Sequence, residues 1–395
     1  MKFVVEGLGL LSYGTKQVAL GILQHLGKHL EHDFTLILPD IPEYADIVAP
    51  NISAVLIPKT QSLLRREILL NRYVPRLCRD QRADALVCMG SYAPRRLACR
   101  TAVFLQFPHV VYREPAVERR LAIRDKLRVT YGRWLYRRLP HEVSIMVQIE
   151  AIKQRLVSIY GIHPERILVI PNAMPAFEPC PRNSSQGHPS SEPFRFLCFA
   201  RYYPHKNIEI LFDALQKLPR YTSRPARCLI NISADQDAGA RRFLRKIEQA
   251  GESSSITCVG PVSREELSGL YQSGDAYIFP TLMETFSFTY DEAMHFGLPI
   301  LTSDRDFAHE RCQDAAVYFD PLDADSVAKA MARVMEDEEL RRRLVENGHR
   351  ILAKAPSWDD IASRFVEMLE RVAKGQLPTP EESRAPREDN YSSIA

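Results

Sequence analysis

The chain has no run approaching the roughly 18 consecutive apolar residues that a membrane span requires, which leaves no candidate for a transmembrane helix. Met1-Lys-Phe-Val-Val-Glu6 is expected to be a first strand and not a signal-peptide core, because Glu6 places a carboxylate where the apolar stretch would have to continue. Its eight cysteines, at positions 78, 88, 99, 180, 198, 228, 258 and 312, include no Cys-x-x-Cys pair. They are scattered and several fall in apolar runs, so reduced, structural thiols in a cytoplasmic protein are expected. Nor is there an internal repeat of the solenoid kind. No charge of one sign dominates: 52 Lys and Arg against 49 Asp and Glu leave a net charge of +3. That small balance conceals a division. Residues 1–172 hold 25 basic and 15 acidic side chains, or +10, and the remainder holds 27 and 34, or −7. Such an asymmetry concerns partners and not fold.

What is present is a soluble globular composition, 45% apolar and 26% charged over 395 residues. That is too long for one ordinary core, so two domains of roughly 150–200 residues are expected. Short apolar runs alternate with helical patterns, which indicates parallel α/β architecture. Strands are expected at Phe3–Val5, Phe34–Leu38, Ser53–Ile57, Ala85–Cys88, Ala102–Phe107, Ser144–Gln148 and Ile167–Ile170. A second series comprises Phe194–Phe199, Cys228–Ile232, Ile256–Val259, Ala276–Phe279, Ile300–Thr302 and Val317–Phe319. Among the intervening helices are Thr15–His29, Ser62–Arg79, Val117–Arg138 and Glu150–Tyr160. The Pro- and Ser-rich stretch 175–193 cannot sustain a helix or a central strand. It is read as a linker between an N-terminal domain, 1–174, and a C-terminal domain, 194–355. A last helix, 356–374, is expected to pack back across the hinge, and the polar, Pro-containing 375–395 reads as a disordered tail. Two doubly wound domains on a hinge would face each other across a cleft at the carboxyl ends of their sheets.

Glu284-Thr-Phe-Ser-Phe-Thr-Tyr-Asp-Glu292 places two carboxylates eight residues apart after an expected strand. A helix starting near Ser287 would carry Glu292 in its second turn and turn free backbone N–H groups towards its own start, which favours a phosphate. Carboxylates on either side of a phosphate site suit a sugar nucleotide, with hydroxyls at both ends and a diphosphate between. Two solvated glutamates would look the same in isolation. Arg201 and Lys206 lie in Ala200-Arg-Tyr-Tyr-Pro-His-Lys-Asn, directly after the first strand of the second series. Two cations at a strand-to-helix turn can neutralise a diphosphate, arginine as a fork and lysine as a point charge.

These segments resemble the Glu-x7-Glu and Arg-x4-Lys regions of retaining glycosyltransferases of family 4. The resemblance continues through Glu292-Ala-Met-His-Phe-Gly-Leu-Pro-Ile, Thr302 to Glu310 and Ala315-Ala-Val-Tyr-Phe-Asp-Pro321. It implies the GT-B fold, two Rossmann-like domains, and transfer of a sugar from a nucleotide-sugar donor, GDP-mannose or a UDP-sugar. The acceptor it implies is a hydroxyl of a glycan or lipid-linked molecule, in cell-surface polysaccharide synthesis. Glu284 would approach the donor sugar, Glu292 the ribose, and the amides of Phe286, Ser287 and Phe288 the sugar or its phosphate. Thr285 and Ser287 stand where the family commonly has glycine, which narrows the pocket and leaves the sugar open. Tyr13-Gly14 resembles the family's glycine loop, with Gly14 able to let backbone approach the diphosphate; Lys16 stands where the family often has Glu. His109, at the end of Phe104-Leu-Gln-Phe-Pro-His, would contact the donor sugar or orient the acceptor hydroxyl, or be structural. Gln148, Glu150 and Asn172 follow strands and could face the cleft, and Asn172 could instead cap backbone.

The run from Arg113 to Arg138 holds nine basic and three acidic residues with interleaved Leu, Tyr and Trp. An apolar stripe edged by arginines suits an anionic membrane surface, and equally a helix packed on its own sheet. Peripheral contact with the inner membrane face, or an anionic lipid-linked acceptor, is expected, and no nucleic-acid partner. Asp-x-Asp pairs occur at 235/237, 304/306 and 323/325. With Arg201 and Lys206 supplying positive charge, neither a metal nor a cofactor is expected, and Asp323 and Asp325 read as helix caps. The rival readings are a sugar-nucleotide epimerase or phosphorylase of the same architecture, and a non-catalytic nucleotide-sugar-binding protein.

Overall fold

The computed structural model describes residues 1–60, 62–174, 192–251 and 254–376. The expected linker 175–193 lies outside them except for its last two residues, and the expected tail 375–395 except for its first two. Over its described residues the chain divides into two compact units. Met1–Arg113, Ile123–Pro175 and Pro356–Ala395 form the first, Glu114–Ala122 and Ala176–Ala355 the second.

In the first unit, seven strands form one parallel sheet: β1 (Lys2–Glu6), β2 (Asp33–Asp40), β3 (Ile52–Pro58), β4 (Ala85–Cys88), β5 (Arg100–Phe104), β6 (Ser144–Val147) and β7 (Ile167–Val169). Their order is β3-β2-β1-β4-β5-β6-β7. In the second, β8 (Phe194–Cys198), β9 (Ala226–Ile230), β10 (Ile256–Cys258), β11 (Ala276–Phe279), β12 (Ile300–Ser303) and β13 (Ala316–Phe319) give the order β10-β9-β8-β11-β12-β13, again parallel. Each sheet starts in its middle and winds outwards in both directions. The order therefore reverses between β1 and β4 and between β8 and β11, and the carboxyl ends there are where such folds bind ligands. Central strands such as Ala85-Leu-Val-Cys88 are wholly buried, as a sheet covered on both faces demands. Edge strand β3 holds only partly and fully exposed positions.

Local chemistry sets the helix boundaries. Ser263 with Glu266 and Ser357 with Asp360 form capping boxes, and Asp237, Asp323 and Asp337 accept from the first-turn amides of their helices. The capping reading of Asp323 holds; Asp325 instead pairs with Lys217 and Tyr221. The helix expected at 62–79 runs Leu63–Gln81 with one wide turn over Leu69–Tyr73. Pro75 lacks the N–H that would continue the ladder there.

Two expected helices differ. The one over 15–29 ends at Leu23, and a separate short turn, Leu26–Lys28, follows it. The helix over 117–138 is two pieces, Pro115–Glu118 and Ile123–Arg137. Val117 is fully buried within the second unit, where Arg120 pairs with Glu209 and donates to Asn207 Oδ1 at 3.3 Å. These contacts take residues 114–122 out of the first unit, and a continuous helix cannot serve both. The last helix, Trp358–Lys374, packs against the helix Tyr13–Leu23 and strands β4 and β5 in the first unit. It buries Ile361, Phe365, Leu369 and Val372, and His32 Nε2 meets Glu370 Oε1 at 2.8 Å.

Candidate functional site

The site in the second unit begins where β8 ends. The Ala200 amide donates to Asn231 Oδ1 (2.9 Å) and the Tyr202 amide to Gln236 Oε1 (2.8 Å), so two side chains of the loop after β9 hold the backbone around Arg201. A tight turn, Pro204–Lys206, follows, closed by Asn207 in the left-handed region at φ 53°. Asparagine tolerates that conformation, and its Nδ2 is tied to the Pro321 carbonyl at 2.7 Å. The turn delivers Lys206 inward: its Nζ donates to Glu284 Oε1 at 2.6 Å and stands 4.8 Å from the Phe279 ring centroid. Glu284 Oε1 also accepts from Thr281 Oγ1 at 2.6 Å. With side-chain exposures of 13% and 8%, Lys206 and Glu284 form a buried ion pair, not a solvated one. Arg201 remains exposed, its guanidinium 5.8 Å from the Tyr203 ring centroid. Asp235, lowered below the usual carboxylate range first by Ser233 donation, also feels the Arg201 charge.

Across Thr285 to Glu292 the helix begins where the sequence predicts. Ser287 is the residue before helix Phe288–His295, and Glu292 occupies its second turn. Ser287 Oγ bonds Thr289 Oγ1 (2.9 Å), leaving the helix start without a side-chain cap. Neither the Phe286 nor the Ser287 amide has a hydrogen-bond acceptor among the described residues. Those donors suit an anionic oxygen. Thr285 and Ser287 are both buried, so their side chains do occupy space that glycine would leave. Glu292 is buried as well, and its Oε2 accepts from Tyr271 Oη at 2.7 Å.

Sequence reasoning missed three supports of this site. Thr281 fixes Glu284, and Tyr271, stacked on Phe296 at 5.0 Å, fixes Glu292. Asp291, fully buried, receives Arg311 Nε at 2.6 Å and Nη2 at 2.5 Å. Burial raises the Asp291 carboxyl above its ordinary range, and Arg311 draws part of that rise back. Arg311 also lies 5.6 Å from the Phe286 ring, so one guanidinium braces both ends of the segment. Asp291 adjoins Glu292 in the sequence, but only packing shows which of the two faces an arginine.

The remaining predicted residues belong to the first unit. Gly14 is the second residue of helix Tyr13–Leu23, exposed, and a Cβ added there would meet nothing within 4 Å. The fold itself therefore does not require glycine at that position. Lys16, whose partner the sequence left open, pairs with Glu43. His109 lies in the turn Pro108–Val110, buried, with its carbonyl accepting from Arg133 Nε at 2.9 Å and its ring 5.0 Å from Phe107. Asn172 is 3% exposed, and neither of its amide atoms has a hydrogen-bond partner among the described residues. It does not cap backbone, which removes that reading. Gln148 is equally buried, with Oε1 unpartnered. Among the described residues no three His, Cys, Asp or Glu side chains are grouped to hold a metal ion, and the seven described cysteines are free. A cavity of ≈ 290 Å³ lies beside the Arg201 loop, lined by Arg120, Tyr202, Glu209 and Arg242 among others, and does not reach Lys206 or Glu284.

Residues 182–351 match the family model described as glycosyl transferases group 1. An uncharacterized glycosyltransferase of Methanocaldococcus jannaschii is 29% identical over 176 residues, 44% of this chain and 43% of that protein. The O-antigen chain mannosyltransferase B of Escherichia coli is 26% identical over 163 residues, 41% of this chain and 42% of its own length. The matched stretches thus span less than half of these relatives. The sucrose-phosphate synthase structure from Thermosynechococcus elongatus superposes with a TM-score of 0.73 at 15% identity, covering 95% of this chain and 100% of that one. At that identity the likeness concerns fold alone, and the fold is GT-B.

Proposed function

We propose that this chain, which carries a group 1 glycosyl transferase segment over residues 182–351, is a retaining glycosyltransferase of family 4 that needs no metal. The observation carrying this reading is the buried Lys206–Glu284 pair beside the amides of Phe286 and Ser287. Lys206, Arg201 and these amides stabilise the negative charge that develops on a departing nucleoside diphosphate, which is electrostatic catalysis. The bond from the sugar's anomeric carbon to the phosphate oxygen breaks as the acceptor hydroxyl oxygen bonds to the same face. The hydroxyl proton passes to the released phosphate. Glu284, held by Thr281 and Lys206, stabilises positive charge developing on the sugar; Glu292 takes the ribose hydroxyls. From the first unit we assign Gly14, His109 and Asn172 to substrate contact. The Escherichia coli relative is named a mannosyltransferase, which favours GDP-mannose as donor and a cell-surface polysaccharide as product.

A screen of GDP- and UDP-sugars for protection against thermal unfolding tests this directly, since a ligand of the native state raises its apparent stability. At 100 Kd the gain is about 2.7 kcal/mol. GDP-mannose is expected to protect and to be consumed only when an acceptor is present. Protection by no nucleotide sugar would sink the assignment; consumption without acceptor would favour the epimerase, and protection without turnover the binding protein.

The membrane-facing part of the proposal, expected over 113–138, rests on the helix Ile123–Arg137 and takes in the helix Leu63–Ile68 as well. Val129 and Tyr136 of the first of these are buried, but five apolar residues of the two face solvent: Leu64 is 71% exposed, Ile68 48%, Ile123 79%, Leu127 67% and Trp134 38%. Tyr131 Oη donates to Glu67 Oε2 at 2.9 Å, which links the two helices. Exposed Arg65, Arg124 and Lys126 supply the cationic edge. Apolar residues ringed by cations suit an anionic bilayer surface, and we place the protein at the cytoplasmic face of such a membrane. Among the described residues no helix is long and apolar enough to cross it. Sedimentation with phosphatidylglycerol vesicles should weaken about tenfold or more in Ile123→Glu/Leu127→Glu. Equal sedimentation of both proteins, or none of either, would remove this contact.

A further inference from the structure

In the first unit, three side chains that no part of the proposed reaction uses converge at the carboxyl end of β1 and β4. Arg66, on helix Leu63–Ile68, lies across Gly9 in the loop after β1. A Cβ built on Gly9 would stand 2.2 Å from Arg66 Nη2, so the guanidinium occupies space that glycine alone leaves. Arg128, on helix Ile123–Arg137, lies 4.8 Å from the Phe107 ring centroid, and that ring in turn is 5.0 Å from His109. Tyr92 follows Ser91, a non-glycine residue in the left-handed region at φ 73°. Such a conformation persists only where the surroundings enforce it. Here Ser91 Oγ accepts the Gln106 amide (3.0 Å) and the Ser91 carbonyl accepts Tyr136 Oη (2.9 Å). The turn sends Tyr92 Oη to the helix that carries Arg128, one turn further on, where a Cβ at Gly132 would stand 2.4 Å from it.

The electrostatics of the cluster are unbalanced. Neither guanidinium has a side-chain hydrogen bond or ion pair with a described residue, and Tyr92 Oη is buried without a partner. Both arginines are half-buried and do not lie free on the surface. Burial pulls Arg66 below its ordinary value; Glu6 opposes this and the like charge of Arg128 adds to it, so the two cations are close enough to repel. The acids nearby are already engaged. Glu6 Oε1 accepts the Leu8 amide at 2.8 Å, and Glu67 Oε2 accepts Tyr131 Oη. Two adjacent forks, each with five donors, and one unspent phenol match the oxygens of a phosphate group. Arginine engages phosphate by paired N–H bonds, and a dianion would relieve the repulsion between the two cations.

We propose that Arg66, Arg128 and Tyr92 form a phosphate-binding subsite, through which this chain recognises an acceptor bearing a phosphate monoester or diester. The proposal rests on the transferase reading for the word acceptor, and on the cluster alone for the phosphate. Glu6 and Ser91 are positioning residues: one offsets the Arg66 charge from below, the other aims the phenol.

The test uses the full chain with GDP present in excess, so that the Arg201–Lys206 loop is occupied and does not compete for phosphate. Calorimetric titration compares glucose 1-phosphate, dihexanoyl phosphatidic acid and the neutral methyl α-glucoside. Both phosphate probes, or one of them, should bind and the glucoside should not; the tighter probe tells a soluble from a lipid phosphate. Arg66→Gln/Arg128→Gln should weaken the phosphate probe about 100-fold or more, two charge-assisted contacts being lost. Tyr92→Phe, which preserves the ring, should weaken it about tenfold. Thermal protection by GDP should persist in all three proteins. Phosphate binding that depends on Arg66 and Arg128 upholds the subsite even where GDP fails to protect, a result that counts against the transferase reading alone. Equal affinities in wild type and the double variant, glucoside binding as tight as phosphate, or no phosphate binding to wild type overturns it.

Discussion

Lys206→Ala is expected to lower sugar transfer about 10²–10³-fold or more, the range for removing one preorganised donor to a developing anion. Glu284→Gln should lower it by a comparable factor while retaining nucleotide binding. The two substitutions act on opposite charges of one transition state. In the proposed reaction Lys206 would meet the leaving phosphate, and Glu284, which accepts from Thr281 Oγ1 at 2.6 Å, would face the sugar. Glutamine keeps the volume and can still accept from Thr281, so loss of activity in Glu284→Gln reports charge. The pair is buried, at 13% and 8% exposure. Removing either member alone is therefore expected to destabilise the fold by about 3–5 kcal/mol, and activity has to be read on protein shown by circular dichroism to be folded at the assay temperature. Lys206→Met/Glu284→Gln removes both charges and should regain much of the stability but none of the activity. Near-wild-type transfer in both single variants would falsify the assignment.

Arg311→Met is expected to cost about 3–5 kcal/mol of stability at neutral pH, because it strands the buried Asp291 carboxylate. The size of that cost depends on pH, with a definite sign. Burial raises the Asp291 carboxyl and Arg311 opposes the rise. A carboxyl held above its unfolded value binds its proton more tightly in the folded state. Its contribution is complete below the unfolded pKa, about 3.9, and is lost as pH rises through the folded pKa. Without Arg311 the folded pKa climbs further, and more stability is lost by neutrality. The difference between variant and wild type should thus be largest above about pH 7 and shrink towards pH 4, where Asp291 is protonated in the folded variant. Urea unfolding across that range measures it, and Asp291→Asn/Arg311→Met should recover at least half. A cost under about 1 kcal/mol that does not vary with pH would mean that the pair behaves like a solvated surface bridge.

Much of this architecture was legible because the signals behind it are local. Strands β4 and β11 fall at the residues expected, since a four-residue apolar run bounded by polar turns leaves little latitude. Helix Phe288–His295 starts one residue after Ser287, and the amides proposed to meet a phosphate and both glutamates lie within nine consecutive residues. The misjudged helix at 117–138 shows the opposite case. Its periodicity is sound over Ile123–Arg137, but periodicity carries no information that Val117 is buried or that Arg120 has partners at Asn207 and Glu209. The uncertainty over the basic stripe had the same origin: an apolar face reads alike whether it meets a sheet or solvent, and here Ile123 and Leu127 meet solvent.

By itself, then, the sequence determined the α/β alternation, the strand positions, and which loops carry cations and carboxylates. Apolar periodicity, proline and capping chemistry act over a few residues and do not depend on the rest of the chain. Only the tertiary structure decided that Lys206 pairs with Glu284, 78 residues away, that Arg311 and not solvent balances Asp291, and that Arg66, Arg128 and Tyr92 converge with donors unspent. Those pairings are set by sheet order and by how helices pack on it, and the cost of burying a charge depends on what that packing places beside it.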